Sequence, residues 1–209
     1  MVAKEIKKLL IYGMPRTATT LLQLQLAQRF DLPMLGEPLN PGSEQYHGAD
    51  WALEQPRGVM KILTGESVPN LDEYIPQGEF TSVLITCRRN LIDCCISLYM
   101  TTIVGYHFEK SPNAQIDSIL VPREHVDHWI RYIARPYFQQ LRHWQECGDN
   151  YQVLYYEDIV QGLTFFVEGN IVDTKSLAPT RFVASEFDYV RMCKNYAEVR
   201  NIIQTTDLT

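Results

Sequence analysis

The segment LIYGMPRTATTLL, residues 10–22, contains the most informative pattern in the chain. Its apolar start predicts a short buried strand over 8–12, and the residues after Ala18 predict a helix over 19–30. A strand that leads through a short loop into a helix directs several backbone N–H groups and the positive helix end at one place, which suits a phosphate group. The segment therefore predicts a phosphate-binding loop over residues 13–20.

This loop differs from a Walker A loop, which reads G-x-x-x-x-G-K-[ST]. Four residues separate Gly13 from the triplet Ala-Thr-Thr at 18–20, so a threonine replaces the lysine that reaches the β- and γ-phosphates. The replacement disfavours an ordinary ATP or GTP enzyme. The side chains expected to donate to an anion are those of Arg16, Thr17, Thr19 and Thr20. For this segment alone, a tight strand-to-helix turn with a threonine cap is the alternative.

Apolar strands alternate with helical stretches along the rest of the chain. Further strands are predicted at 58–63, 80–87 and 151–155, and further helices at 91–103, 126–146 and 186–203. Pro136 should kink or split the helix that contains it. The alternation predicts an α/β three-layer sandwich with a central, mostly parallel sheet. The sequence contains no internal repeat or linker, so we expect one domain over 1–209.

Composition restricts the class of protein. The chain is 45% hydrophobic, which is typical of globular domains, and its net charge of −6 argues against a general binder of nucleic acid or anionic membranes. No apolar run approaches the ~20 residues of a membrane span or forms a secretory signal. Five cysteines without a C-x-x-C pair, and an H-x-x-H at 125–128 without a zincin glutamate, predict a reduced cytoplasmic protein without a metal site.

A second candidate phosphate site follows the strand predicted at 80–87. Arg89 is the second residue after this strand, and Ser97 stands eight residues later inside the next predicted helix. A nucleotide with two separate phosphate groups needs a second cationic site, and arginine suits a phosphate through paired hydrogen bonds. The neighbouring Arg88 could be an ordinary surface charge or could exchange roles with Arg89.

Together these segments resemble the sulfotransferases that use 3′-phosphoadenosine-5′-phosphosulfate (PAPS). Residues 14–20 are similar to the family's 5′-phosphosulfate loop, P-[RK]-[ST]-G-[ST]-[ST], with Ala18 where the family prefers glycine. Arg89, Ser97 and the Leu-Tyr that follows are similar to its 3′-phosphate motif, and 153–159 is similar to its Tyr-Glu-Asp-Leu segment. The resemblance implies a P-loop-like sulfotransferase fold and transfer of a sulfuryl group to an acceptor hydroxyl or amine, with release of PAP.

The resemblance also implies roles for individual residues. Arg16 would neutralise charge on the bridging oxygen as the bond to sulfur breaks, and Tyr156 would lie near the adenine. The residues implied in cofactor binding are Pro15, Arg16, Thr17, Ala18, Thr19, Thr20, Arg89, Ser97 and Tyr156. The glycine- and lysine-rich C-terminal motif of the cytosolic steroid and phenol enzymes is not visible in this sequence.

The catalytic base is the least determined part of the resemblance. Cytosolic members place a histidine where this chain has Leu63, although Lys61 has a counterpart and would orient the acceptor or the sulfonate. Branches resembling the tyrosylprotein and trehalose sulfotransferases use a glutamate in the loop after the first helix, and Glu37 stands in that position. Glu37 is therefore the expected base, with His47 and His107 as the alternatives; a solvated loop carboxylate is the other interpretation of Glu37.

Two other functions remain open at this point. A P-loop nucleotide kinase or NTPase with an altered Walker A loop would need a Walker B aspartate, and a non-catalytic nucleotide-binding module would need none. The acceptor could be a small molecule, a carbohydrate or a peptide, and the insert at 105–123 could cover it. The sequence leaves the oligomeric state open.

Overall fold

Five parallel strands form the central sheet of the protein. The computed structural model describes residues 5–40, 44, 46–65, 80–104, 118–147, 151–175 and 188–208. The strands are β1 (Lys8–Gly13), β2 (Met34–Gly36), β3 (Gly58–Leu63), β4 (Ser82–Cys87) and β5 (Tyr151–Tyr155). Their order is β2-β3-β1-β4-β5, and every neighbouring pair is parallel. The prediction of a mostly parallel central sheet is confirmed.

Helices and one hairpin surround this sheet. The α-helices are α1 (Thr19–Phe30), α2 (Ala49–Glu54), α3 (Leu91–Val104), α4 (Arg123–Trp129), α5 (Arg135–Cys147), α6 (Tyr156–Gln161), α7 (Tyr189–Met192) and α8 (Tyr196–Thr205). A π-helical segment, Ile130–Ala134, joins α4 to α5. The antiparallel hairpin consists of β6 (Thr164–Val167) and β7 (Asn170–Asp173).

Both faces of the sheet are covered, which confirms the three-layer α/β sandwich. Every residue of β1 is buried, as expected for a parallel strand between two layers. Leu10 and Tyr12 pack with α3, α4, α5 and α8 on one face. Leu9 and Ile11 pack with α1, α6 and the β6–β7 hairpin on the other face. Alternate side chains of one strand therefore contribute to two separate cores.

Pro136 stands in the first turn of α5, directly after the π-helical segment. The helix begins at Arg123, and the backbone N–H of Arg135 donates to the carbonyl of Ile130, a spacing of five residues. Proline has no N–H and its ring crowds the carbonyl of the preceding turn, so a wider turn just before Pro136 relieves the conflict. The physical effect of the proline was predicted, and its form is a π-helical segment.

The prediction of one helix over 186–203 is wrong. The described part of this stretch contains two helices, α7 and α8, separated at 193–195. The carbonyl of Met192 accepts from the N–H of Ile119, and the N–H of Lys194 donates to the carbonyl of Ile119. These hydrogen bonds hold the backbone extended at Cys193 and override the local helical pattern. Strand β2, helix α2 and the β6–β7 hairpin were not predicted.

The strand order positions the site. The chain leaves β1 toward β2 on one side, and it leaves β4 toward β5 on the other side. In open parallel sheets, ligands bind in the crevice outside the carboxyl ends of the two strands at which the connections diverge. That crevice lies here between β1 and β4, and the loops that follow these two strands carry both predicted phosphate sites. Among the described residues, no helix is both long and apolar enough to cross a membrane.

Candidate functional site

The loop after β1 adopts a backbone conformation that is unusual for its residues. Arg16 has φ 70° and Ala18 has φ 64°, both in the left-handed region. A residue with a side chain loses roughly 1–2 kcal/mol in that region, whereas glycine does not. Glycine at position 18 would avoid this cost, so the alanine holds the loop in a conformation that is unfavourable for it.

The way α1 is capped decides whether its first N–H groups could bind an anion. No side chain from the described residues caps α1 at Ala18, so the alternative of a threonine-capped turn is not observed. The N–H groups of a first helical turn have no partner within the helix, and they favour an anion as a ligand. The predicted phosphate loop therefore keeps its backbone donors.

Thr17 holds the loop in shape from inside. Its side chain is fully buried, and its Oγ1 donates to the carbonyl of Met14 at 2.7 Å and lies 2.7 Å from Oγ1 of Thr86. Thr86 is the partner of Gly13 in the β1–β4 pairing, and a Cβ on Gly13 would overlap its hydroxyl. The Thr17 hydroxyl was expected to donate to an anion. In this structure it instead donates within the loop and contacts Thr86 of β4.

Of the remaining two predicted hydroxyls, Thr19 is buried and Thr20 is exposed. Oγ1 of Thr20 accepts a hydrogen bond from Nζ of Lys61 at 2.6 Å. Lys61 lies in β3 opposite Ile11 of β1, and its side chain is only 9% exposed. Lys61 of β3 therefore reaches the amino end of α1. The loop itself has no lysine at the Walker A position, so Lys61 brings a lysine to this place from another strand.

Glu37 and Lys61 form an ion pair beside the phosphate loop. Oε1 of Glu37 lies 2.9 Å from Nζ of Lys61, and Oε2 accepts from Nδ2 of Asn40 at 2.7 Å. Both charged side chains are mostly buried, so each compensates the charge of the other in a poorly solvated place. Glu37 is therefore not the solvated loop carboxylate of the alternative interpretation. The structure brings together three residues that were predicted separately: Thr20, Lys61 and Glu37.

The two predicted phosphate segments meet at the crevice. Nε of Arg16, in the loop after β1, donates to Oγ of Ser97 at 3.2 Å. Sγ of Cys94, on the same helix as Ser97, lies 3.3 Å from the carbonyl of Pro15. Ser97 is buried and Arg16 is exposed, so the helix after β4 packs directly against the loop after β1.

Arg89 lies on the outer side of this region. Its Nη1 and Nη2 each donate to one oxygen of Asp158 at 2.7 Å, and its backbone N–H donates to the carboxylate of Glu157. Its side chain is 52% exposed and stacks 4.4 Å from the ring centre of Tyr155. The Arg89 guanidinium holds the pKa of Asp158 below its usual range.

Arg88 is buried, so the idea that it is an ordinary surface charge is wrong. Only 8% of the residue is exposed, and its guanidinium carbon lies 4.3 Å from the ring centre of Tyr156 and 5.5 Å from that of Tyr189. Nη1 donates to the carbonyl of Asp93 at 3.4 Å. Tyr156, expected near an adenine, therefore lies beside a buried cation at the start of α6.

Burial dominates the electrostatics of the groups around Arg88. Burial raises the pKa of Asp93, although the positive charge of Arg88 and a hydrogen bond from the Tyr196 hydroxyl at 3.2 Å both lower it. Nδ2 of Asn90 donates to the same hydroxyl at 3.2 Å. Sequence reasoning missed Asp93 and Tyr189 because they come from separate segments and match no motif.

Of the two histidines proposed as alternative bases, the structure describes only His47. His47 is exposed and stacks on Trp51 with 4.2 Å between ring centres, and its backbone N–H donates to the carbonyl of Pro38. It therefore lies beside the loop that carries Glu37. His107 and most of the insert at 105–123 lie outside the described residues.

Neither a protein-family model nor a curated protein matches this chain. Within the described ranges, no group of three or more His, Cys, Asp or Glu side chains is placed to hold a metal ion. The function therefore has to be argued from the geometry of the site itself.

Proposed function

We propose that the protein is a sulfotransferase that moves a sulfuryl group from PAPS to an acceptor hydroxyl or amine. The observation that carries this proposal is the hydrogen bond from Arg16 to Ser97. These residues belong to two segments that resemble the 5′-phosphosulfate and 3′-phosphate motifs of one family, and nothing in their local sequence requires them to meet. A nucleotide that carries both groups would need both segments at one crevice.

The distribution of positive charge supports the proposal. The chain has a net charge of −6, yet Arg16, Lys61 and Arg88 all lie around the carboxyl ends of β1, β3 and β4. Two of the three, Lys61 and Arg88, are buried. Glu37 compensates the charge of Lys61, whereas the ion-pair distance from Arg88 to Glu157 is 4.0 Å. A buried cation is unfavourable unless something compensates it, and an anionic ligand such as a bisphosphorylated nucleotide would do so for Arg88.

The residues around the crevice suit an in-line transfer, in which positioning and charge stabilisation supply most of the acceleration. The open amino end of α1 would hold the 5′-phosphosulfate, and Ser97 would bind near the second phosphate. Arg16 would neutralise charge that develops on the leaving phosphate. Glu37 would accept the proton of the acceptor, and Lys61 would hold Glu37 and Thr20 in place.

The contact between Lys61 and Thr20 favours this chemistry over that of a P-loop kinase or NTPase. In a Walker A loop the Ser or Thr at this position binds Mg²⁺ through its hydroxyl. Here the ammonium of Lys61 donates to that hydroxyl, so a protein cation stands where those enzymes recruit a metal. β4 also ends in Thr-Cys followed by Arg88, without the aspartate of a Walker B strand.

The first experiment is a calorimetric titration of the full chain with PAP, with ATP and ADP as controls. We expect PAP to bind at least about 10-fold more tightly than either control, because its 3′-phosphate, which ATP and ADP lack, adds charge-assisted hydrogen bonds. Equal or tighter binding of ATP, or no binding of PAP, would sink the proposal. Residues 13–20 would then be better interpreted as the phosphate loop of a kinase or as a purely structural loop.

The second experiment separates an enzyme from a non-catalytic binding module. Labelled PAPS is incubated with a panel of alcohols, amines, sugars and tyrosine peptides, using wild type, Glu37→Gln and Glu54→Gln. Glu37→Gln should keep PAP binding and lose about 100-fold or more of turnover, as expected for a general base. Glu54→Gln changes an exposed carboxylate on α2 and should match wild type. PAP binding without turnover on any acceptor would instead support the binding module.

A further inference from the structure

Arg88 and Arg89 are neighbours in the sequence with opposite environments. Arg89 is half exposed, and its fork is already engaged by both oxygens of Asp158. To bind a phosphate in the same bidentate way, Arg89 would first have to give up this pair. The motif resemblance points to Arg89, but the contacts of its guanidinium do not.

The guanidinium of Arg88 has unused hydrogen-bonding capacity. Its Nε is buried and forms no hydrogen bond with any described atom. The nearest carboxylate oxygen, Oε1 of Glu157, is 4.0 Å from Nε. A buried donor without a partner costs about 1–3 kcal/mol, so such a group calls for an explanation, and a ligand absent from the structure is one.

The position of Arg88 relative to the phosphate loop gives the second observation. Nη1 of Arg88 donates to the carbonyl of Asp93 on α3 at 3.4 Å. Sγ of the next residue on that helix, Cys94, lies 3.3 Å from the carbonyl of Pro15 in the phosphate loop. Arg88 is therefore joined to the loop through α3, whereas the side chain of Arg89 pairs with a carboxylate on α6.

We propose that Arg88, and not Arg89, is the cation that binds the second phosphate of the nucleotide. Its guanidinium carbon lies over the rings of both Tyr156 and Tyr189, and these contacts restrict its orientation before a ligand arrives. Arg89 instead joins the end of β4 to α6 through Asp158 and Glu157. This inference rests on the proposed function, because it assigns a residue to the nucleotide of that reaction.

The test compares affinities for PAP and for 5′-AMP, which lacks the 3′-phosphate, in wild type, Arg88→Gln and Arg89→Gln. We expect wild type to prefer PAP, Arg88→Gln to lose about 10- to 100-fold of that preference, and Arg89→Gln to keep it. Affinity for 5′-AMP serves as the internal control, since loss of the 3′-phosphate contact leaves it unchanged. Calorimetry measures both ligands on the full chain, and no turnover is needed.

Folding is controlled with Arg88→Lys, which keeps the charge but loses the fork. If Arg88→Gln does not fold, Arg88→Lys should still fold and show a reduced preference for PAP. Loss of the preference in Arg89→Gln, or an equal loss in both glutamine variants, would overturn the inference and leave the proposed function standing. A wild type that binds PAP no better than 5′-AMP and ATP would overturn the proposed function itself.

Discussion

The loops after β1 and after β4 face the same crevice but are built by different means. The loop after β1 depends on backbone shape and on neutral, buried contacts at Gly13, Thr17 and Thr86. The loop after β4 depends on charged groups, with Arg88 and Arg89 set against carboxylates on α6. Steric fit is insensitive to salt and pH, whereas charge pairs respond to both. The two loops should therefore respond differently to mutation.

The largest effect is expected from Gly13→Ala. The added Cβ would overlap the hydroxyl of Thr86 and crowd the hydroxyl of Thr17 and the methyl group of Thr19. Overpacking at a fully buried position should cost about 3 kcal/mol of the free energy of unfolding, nearly independent of salt. Urea unfolding followed by circular dichroism measures the loss.

Gly65→Ala is the matched control for Gly13→Ala. Gly65 lies just after β3, and no described atom stands within 4 Å of the place where its Cβ would be. Its substitution should change stability by less than about 0.5 kcal/mol. If the two alanine variants were equally stable, the close approach of β4 to Gly13 would be refuted.

A smaller effect of opposite sign is expected from Ala18→Gly. Glycine relieves the left-handed strain of roughly 1–2 kcal/mol, but it also loosens the unfolded chain by about 0.4–1 kcal/mol. The net result should be a gain of about 0.5 kcal/mol in the free energy of unfolding, measured in urea. Ala27→Gly, within the regular helix α1, should instead lose about 1 kcal/mol. A loss of similar size in both variants would contradict the backbone conformation at Ala18.

The smallest effect is expected from Asp158→Asn, which tests the charged loop. Arg89 lowers the pKa of Asp158 in the folded state, so the pair contributes stability above the ordinary pKa of an aspartate. That contribution is lost as the pH falls through the lowered pKa. Because the pair is exposed, the variant should melt only slightly below wild type at neutral pH, and the two should coincide in strong acid.

A double-mutant cycle with Arg89→Gln isolates this pair. The coupling between the two positions should be measurable in low salt at neutral pH, and it should shrink in high salt and vanish in strong acid. Coupling that persists in strong acid would mean that packing, rather than charge, joins the end of β4 to α6.

The same contrast explains what the sequence could predict. The loop after β1 is contiguous, and helix α1 has the predicted bounds because strand, loop and helix follow one another without help from distant residues. The different fates of Arg88 and Arg89 could not be predicted, because they depend on carboxylates that follow Arg89 by 68 and 69 residues. The break at 193–195 was missed for the same reason, since it depends on Ile119.

The position of β1 in the middle of the sheet affects when the loop after it can fold during synthesis. The loop after β1 leaves the ribosome before β4 does, and the contact between Thr17 and Thr86 closes a span of 69 residues. Parallel pairing over such a span is slow, because the chain loses entropy before the contacts form. A nascent chain that ends before β4 lacks this contact altogether. The loop therefore acquires its final shape only after β4 has been synthesised and has paired with β1.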